Sequence, residues 1–129
     1  LDGYGVVGQV VKVMGNQSLV RDLRDLHSGI PVAIERNHLR GIVSGEGMTE
    51  PLKLDFMTNT DDVKLNDTLI TSGLGEQFPA GYPVGTVSHV SGHQSHAFLD
   101  IDLTPLAHLD RFRQVLLVWP SKPRIKRSQ

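Results

Sequence analysis

The chain has 129 residues, 39% apolar and 21% charged, which is enough for one domain or for two very small domains that share an interface. Its formal net charge of −1 argues against a general nucleic-acid surface, and the absence of cysteine excludes disulfides and thiolate metal sites. No apolar run approaches the roughly 20 residues that a membrane-spanning helix needs. The sequence begins at Leu1 without a signal-peptide pattern, and we expect it to be the interior of a larger protein.

Short β-branched runs bounded by Gly, Pro, Asn or Asp predict an all-β protein. The predicted strands are 6–13, 19–23, 31–35, 39–44, 52–57, 68–72, 84–90, 97–103 and 115–119. Only residues 23–29 have some helical character, and they are expected to form no more than a turn or two. The spacing of about 9–12 residues per strand favours small barrels or sandwiches.

Alternating apolar and charged residues predict which side of each strand is buried. In the segment LKLDF, Leu52, Leu54 and Phe56 are expected to share the core face. In the segment FLDIDL, Asp100 and Asp102 are expected to point to solvent.

The glycine-rich segment TSGLGEQFPAGYPVGTV (71–87) has three interpretations: a phosphate loop, a serine-nucleophile turn or a structural corner. A β-branched segment follows it, without the Gly-Lys-Ser/Thr of a phosphate loop, so we reject that interpretation. The corner accounts for the residues best, because Gly73 and Gly75 permit positive φ and the prolines restrict the turn. Gly85 in the next strand predicts a bulge or a close backbone approach.

Two chemical alternatives remain open beside the corner. One is a hydrolase that uses Ser72 and a histidine, although the Gly-x-Ser-x-Gly elbow is absent and triad members normally come from separated segments. The other is a metal site formed by His89, His93 and His96, although no carboxylate lies between them. We expect no catalytic residue, metal or cofactor.

The last eight residues, KPRIKRSQ, hold the basic side chains of Lys122, Arg124, Lys126 and Arg127. Such a run is usually a solvated tail. We expect that here, with contact to an acidic lipid or protein as the alternative.

Over almost its whole length the chain resembles one family, the bacterial rod shape-determining protein MreC, in its periplasmic part. The motifs that carry the resemblance are GVVGQVV (5–11), IPV (30–32), RGIVSGEG (40–47), DVKLNDTLITSGLGEQFPAGYPVGTV (62–87) and LDRFRQVLLVW (109–119). The family usually has Gly where Asn66 stands here, and Asn is the best replacement where φ is positive.

The resemblance implies an all-β fold of two six-stranded β-barrels, one inserted into the other. We expect residues 30–105 to form the complete inserted barrel. Residues 1–29 and 106–129 would form the first barrel, which is incomplete in this chain. In such proteins a membrane helix, a coiled coil and the first strands come earlier, and these missing strands or a neighbouring copy would close the first barrel.

The resemblance also implies a non-catalytic scaffold of the cell-elongation and peptidoglycan synthesis machinery, on the periplasmic side of the inner membrane. The implied partners are a penicillin-binding transpeptidase, which it binds and activates, inner-membrane shape proteins and an actin-like filament system. A homodimer or higher self-assembly is implied as well, without nucleic acid or cofactor.

The residues expected to contact a partner lie in a glycine-flanked strand beside the incomplete barrel and in the glycine-rich corner. They are Gly5, Val6, Val7 and Gly8, with Phe78 and Tyr82 as second candidates. A partner strand would add main-chain hydrogen bonds there. Replacing Gly5 with Asp is expected to weaken association while the complete barrel still folds.

Overall fold

The computed structural model describes residues 1–58, 60–92, 98–110 and 114–118. The strands are β1 (Gly8–Met14), β2 (Gln17–Asp22), β3 (Gly29–Ile34), β4 (Arg40–Ser44), β5 (Leu52–Asp55), β6 (Thr68–Thr71), β7 (Pro83–Gly92) and β8 (Leu99–Pro105). A short 3-10 turn at Leu74–Glu76 is the one helical element in these ranges, so the all-β prediction is confirmed. None of the described residues forms a helix with the length and hydrophobicity that crossing a membrane requires.

Six strands close into a barrel in the order β3-β4-β5-β8-β7-β6, and β6 pairs back with β3. Every pairing is antiparallel, and the six strands correspond to those predicted between residues 31 and 103. Alternate side chains point inward and fill the barrel. The most deeply buried of these include Val32, Ile34, Val43, Leu52, Leu69, Val84 and Leu103.

β1 and β2 form a separate two-stranded sheet, joined through a turn at Gly15, where φ is 57°. The strand predicted at 115–119 is not formed over 115–118, and Trp119 lies outside the described residues. The Leu116 N–H instead donates to the Leu1 carbonyl at 2.7 Å, and the amino group of Leu1 donates to the Leu116 carbonyl at 2.9 Å. The predicted division of the chain into two barrel domains stays a prediction.

The expectation that Phe56 shares the core face with Leu52 and Leu54 is wrong. The chain advances five residues from Lys53 to Thr58 while the paired strand advances only four, from Asp102 to Phe98. The extra residue is a β-bulge, which bends the strand and redirects its side chains. Phe56 adopts a left-handed φ of 71° and is 64% exposed, while Met57 takes the core position at 1% exposure.

Because a left-handed backbone costs an L-residue roughly 1–2 kcal/mol, Phe56 is strained as well as exposed. Asn tolerates this conformation, so we expect Phe56→Asn to raise the free energy of unfolding by up to about 1 kcal/mol in chemical denaturation. Phe98→Asn is the matched control, since Phe98 is 55% exposed in an ordinary strand-pair conformation and its replacement should destabilise. Equal destabilisation by both variants would show that the bulge stores no strain at Phe56.

The turn between β3 and β4 is tied to the segment before β6 by one arginine. The Arg36 guanidinium donates two hydrogen bonds to Asp67, at 2.9 and 3.0 Å, and another to the Asp62 carboxylate at 2.8 Å. Asp67 is buried and also accepts a bond from the Lys64 backbone N–H. These bonds to Arg36 hold the pKa of Asp67 below its usual range, although burial opposes the shift. They fix both loops at this end of the barrel.

The depressed pKa of Asp67 makes stability depend on pH. The folded carboxyl binds its proton less tightly than the unfolded one. Its stabilisation is therefore present above the unfolded pKa of about 3.9 and is lost as the pH falls through the lower, folded value. We expect Asp67→Asn to lower the free energy of unfolding at neutral pH by about 1–2 kcal/mol and to flatten its decline at acidic pH. Denaturation curves across pH test this.

Glu35→Gln is the control for Asp67→Asn. It removes a nearby exposed carboxylate that makes no salt bridge with a described residue. Its pH profile should match that of the parent protein. If Asp67→Asn keeps the parent profile as well, the Arg36 pairing does not contribute to stability.

Candidate partner-binding cleft

The segment that carries Gly5, Val6 and Val7 is built into the structure. The Val6 N–H donates to the Pro83 carbonyl at 2.9 Å, and the Leu23 N–H donates to the Val7 carbonyl at 3.1 Å. Val6 and Val7 are each only 5% exposed and belong to the same hydrophobic core as the barrel residues. This segment therefore links the β1–β2 hairpin to the closed barrel.

Gly5 lies where the chain passes close to the barrel. A Cβ atom added there would be 2.8 Å from the Pro83 carbonyl oxygen and 3.3 Å from Leu106 Cβ. Asp2 helps to hold this turn, because its carboxylate accepts hydrogen bonds from the backbone N–H groups of Tyr4, Gly5 and His108. Although burial opposes the shift, these bonds keep the pKa of the Asp2 carboxyl below its usual range.

Thr71, which is 2% exposed, positions the glycine-rich corner. Its hydroxyl donates to the Pro79 carbonyl and accepts from the Tyr82 N–H, while its carbonyl accepts from the Gly81 N–H. The corner interpretation is confirmed by positive φ at Gly73, Gly75 and Gly81.

The prediction for Gly85 is also confirmed. The register shifts opposite it, between Leu69 and Ile70. An added Cβ on Gly85 would be 2.7 Å from the Thr104 carbonyl oxygen, so the backbones approach closely.

An apolar cleft of about 440 Å³ lies between the β1–β2 hairpin, the corner at residues 77–82 and the segment 115–118. The hairpin contributes Val10, Val13 and Val20, which are 36%, 69% and 46% exposed. Leu116 and Leu117 from the opposite segment are 66% and 52% exposed. Exposed branched side chains around a concave surface are typical of a site that is covered by another polypeptide.

One arginine connects the end of β2 to the segment that follows β8. Arg24 makes two side-chain hydrogen bonds to Asp22, at 2.9 and 3.1 Å, and a third to Asp110 at 3.0 Å. The bonds to Asp22 and Asp110 raise the pKa of Arg24, so it stays charged.

A family model described as "Rod shape-determining protein MreC, barrel core" matches residues 1–119. The chain belongs to the MreC family. It is 46% identical over 121 residues to the cell shape-determining protein MreC of Haemophilus influenzae, covering 94% of this chain and 34% of that protein. The chain thus spans about a third of the length of that relative.

Solved MreC structures share the fold. The crystal structure of MreC from Pseudomonas aeruginosa superposes with a TM-score of 0.83 at 43% identity, covering 88% of this chain and 73% of that one. MreC from Helicobacter pylori, solved in a complex with the penicillin-binding protein PBP2, has a TM-score of 0.63 at 24% identity. That match covers 82% of this chain and 69% of the Helicobacter chain, and it shows the fold alone.

The cleft brings together five of the six residues predicted as partner contacts in this MreC-family chain. Val6, Val7, Gly8, Phe78 and Tyr82 line it, although they come from two distant segments. Gly5 lies behind the cleft against Pro83, and its assignment as a contact residue stays a prediction, as do the other five.

Sequence reasoning missed the exposed part of the lining, which is Val10, Val13, Val20, Leu116 and Leu117. A signal was present, because β1 and β2 carry apolar side chains on both faces. A two-stranded ribbon with only one face on a core would place polar residues on the other.

The structure does not assemble either the hydrolase site at Ser72 or the histidine metal site from the residues that it describes. The Ser72 hydroxyl accepts a hydrogen bond from the Leu74 N–H at 3.3 Å, and no histidine in the described ranges bonds to it. His89 lies exposed on β7, whereas His93 and His96 are outside the described residues. The part of the chain that the structure describes holds no cluster of three metal-ligating side chains.

We expect Gly5→Asp to destabilise the protein by about 1–3 kcal/mol, because the new side chain is forced against the Pro83 carbonyl. Gly3→Asp is the matched control, since a Cβ at Gly3 meets nothing within 4 Å. Thermal unfolding of both variants measures the difference. Equal unfolding temperatures would mean that the segment can move away from the barrel without cost.

Proposed function

We propose that this chain is the partner-binding β-domain of a cell-shape scaffold that acts on the periplasmic side of the bacterial inner membrane. Its partner would be a penicillin-binding transpeptidase of peptidoglycan synthesis, which it binds and activates. Membership in the MreC family supports this, and the Helicobacter MreC shows that a protein of this fold associates with PBP2. Links to inner-membrane shape proteins, to the actin-like filament system and to further copies would come through the full-length protein.

The observation that carries the proposal is the apolar cleft. Its exposed valines and leucines offer hydrophobic contact area, and each CH₂ that a partner buries contributes roughly 0.8 kcal/mol. The adjacent hairpin also has free strand edges within the described residues, because β1 and β2 pair only with each other. A partner segment in extended conformation can pair with such an edge and place alternate side chains in the cleft.

A non-catalytic role fits the polar groups around the cleft. Thr71 is committed to the corner through its hydroxyl, and the Ser72 hydroxyl bonds to the next turn. Activation of the partner would therefore be a consequence of binding, through the conformation that the complex favours.

The test compares two valines of β1 that differ in whether they line the cleft. Val13 lines it at 69% exposure, whereas Val11 is 40% exposed and does not. An aspartate in the cleft would have to be desolvated by the partner, so we expect Val13→Asp to weaken transpeptidase binding at least about tenfold. Val11→Asp should bind within about twofold of the parent chain. Calorimetric titration with the periplasmic part of the transpeptidase measures both.

The outcomes separate the site from the function. If both variants bind like the parent, the cleft is not the binding surface. If the parent chain itself fails to bind, the transpeptidase proposal is wrong for this part of the protein. Unchanged unfolding temperatures of the two variants would show that the differences come from the interface.

A further inference from the structure

Two surface turns each present an apolar side chain at the tip. A backbone N–H···O bond of 2.9 Å closes the turn over residues 25–28, and Leu26 occupies its second position. A bond of 3.3 Å closes the turn over residues 47–50, and Met48 occupies the same position there. Leu26 is 69% exposed and Met48 is 61% exposed. Turns favour Gly, Pro, Asn, Asp and Ser, so an exposed apolar tip on both turns is unexpected.

Backbone contacts hold the two turns side by side. The Gly47 N–H donates to the Arg24 carbonyl at 2.9 Å, and Gly47 has a φ of 116°, which L-residues rarely adopt. Gly45 packs so closely that an added Cβ would be 2.2 Å from the Asp25 carbonyl oxygen. Both glycines belong to the segment RGIVSGEG, which does not contribute to the apolar cleft. They bring the two apolar tips onto one surface, here called the turn-pair surface (residues 25–28 and 45–50).

The turn-pair surface carries three carboxylates, those of Asp25, Glu46 and Glu50. Glu46 and Glu50 are exposed and make no salt bridge with a described residue. The Asp25 carboxylate accepts a hydrogen bond from the His27 N–H at 2.7 Å, which fixes it on its own turn. Two exposed apolar side chains are therefore flanked by negative charge on both turns.

The neighbouring positive charges do not cancel this negative charge. Arg24 is shared between the carboxylates of Asp22 and Asp110, so this group of three is itself negative. Arg21 is close enough for its charge to act on Asp25. Among the described residues, carboxylates still outnumber guanidinium groups around the turn-pair surface.

We propose that the turn-pair surface binds a segment of a partner protein that combines basic and apolar side chains. Its carboxylates attract lysine or arginine, while Leu26 and Met48 cover the apolar side chains between them. Methionine suits such a contact because its flexible side chain adapts to the surface that it meets. The same carboxylates repel nucleic acid and an anionic bilayer, so charge favours a basic polypeptide as the occupant.

The turn-pair surface is separate from the apolar cleft. None of residues 25–28 and 45–50 belongs to the cleft lining, whose side chains are mainly uncharged. A scaffold can therefore hold one partner at each surface. Binding at the turn-pair surface does not require that a transpeptidase fill the cleft.

The experiment measures fluorescence anisotropy of a labelled peptide, in which Lys, Leu and Ala repeat, as it binds the purified 129-residue chain. A peptide with Glu in place of each Lys is the control ligand. We expect the basic peptide to bind at least about tenfold more tightly than the acidic one. Its affinity should fall as the salt concentration rises, because part of the attraction is between exposed charges.

Two matched pairs of variants locate the site. Glu46→Lys should weaken binding of the basic peptide about tenfold, whereas Glu35→Lys, with the same change in net charge, should stay within about twofold. Leu26→Ser should weaken it at least about tenfold through lost apolar contact, whereas Leu65→Ser should stay within about twofold. Glu35 and Leu65 are exposed near the other end of β3, where Ile34 pairs with Leu69.

Several outcomes would overturn the proposal. They are failure of the basic peptide to bind the parent chain, equal affinities for the two peptides, and equal losses within either pair of variants. Loss of binding in Val13→Asp but not in Leu26→Ser would place the peptide in the cleft instead. Self-association of the parent chain in sedimentation that Leu26→Ser abolishes would make a second copy the occupant. Because no transpeptidase is present, each of these results leaves the proposed function untouched.

Discussion

Three residue pairs between β3 and β6, Val32 with Thr71, Ala33 with Ile70 and Ile34 with Leu69, close the barrel. They join segments that are far apart in the sequence, and the chain loses loop entropy before it gains these contacts. Once they form, every barrel strand has a neighbour on both sides. Thr71 belongs to this closing set, and its hydroxyl also holds the corner that forms one wall of the cleft. Barrel closure and cleft shape are thus fixed by the same residue.

The β1–β2 hairpin, unlike the barrel, is not closed by neighbouring strands among the described residues. Among the described residues, β1 and β2 pair only with each other, and their apolar side chains remain largely exposed. A closed barrel offers no free strand edges, whereas a two-stranded ribbon offers two. The molecule therefore combines a closed barrel, which has no unpaired strand edge, with a hairpin whose strand edges can pair with another chain. Val6 connects the two through its backbone hydrogen bond to Pro83, and Val6 and Leu23 share a hydrophobic core with the barrel.

Much of the fold could be predicted from the sequence, because alternation and turn residues act locally. The six barrel strands, the corner at residues 73–81 and the close approach at Gly85 all follow from such local rules. Phe56 could not be placed, because a bulge depends on the register of the paired strand and leaves no mark in the apolar pattern.

Only part of the cleft lining could be predicted from the sequence, because the cleft also depends on tertiary contacts. The contact candidates at 6–8 and at Phe78 and Tyr82 were found separately, from glycine patterns in each segment. Their convergence depends on tertiary contacts such as the bond from Val6 to Pro83. The strand predicted at 115–119 is absent over residues 115–118 for the same reason. A sequence rich in apolar residues forms a strand only where a neighbouring strand can pair with it.

The common core also couples the two parts thermodynamically. Val6, Val7 and Leu23 pack in one cluster with barrel residues such as Leu103 and Val84, so the hairpin base and the barrel lose their packing together. Whatever occupies the cleft adds its binding free energy to the whole cooperative unit, and this gain grows with the logarithm of its concentration. Binding in the cleft should therefore slow the hydrogen exchange of barrel amides that the ligand does not touch, where those amides exchange through unfolding of the whole unit.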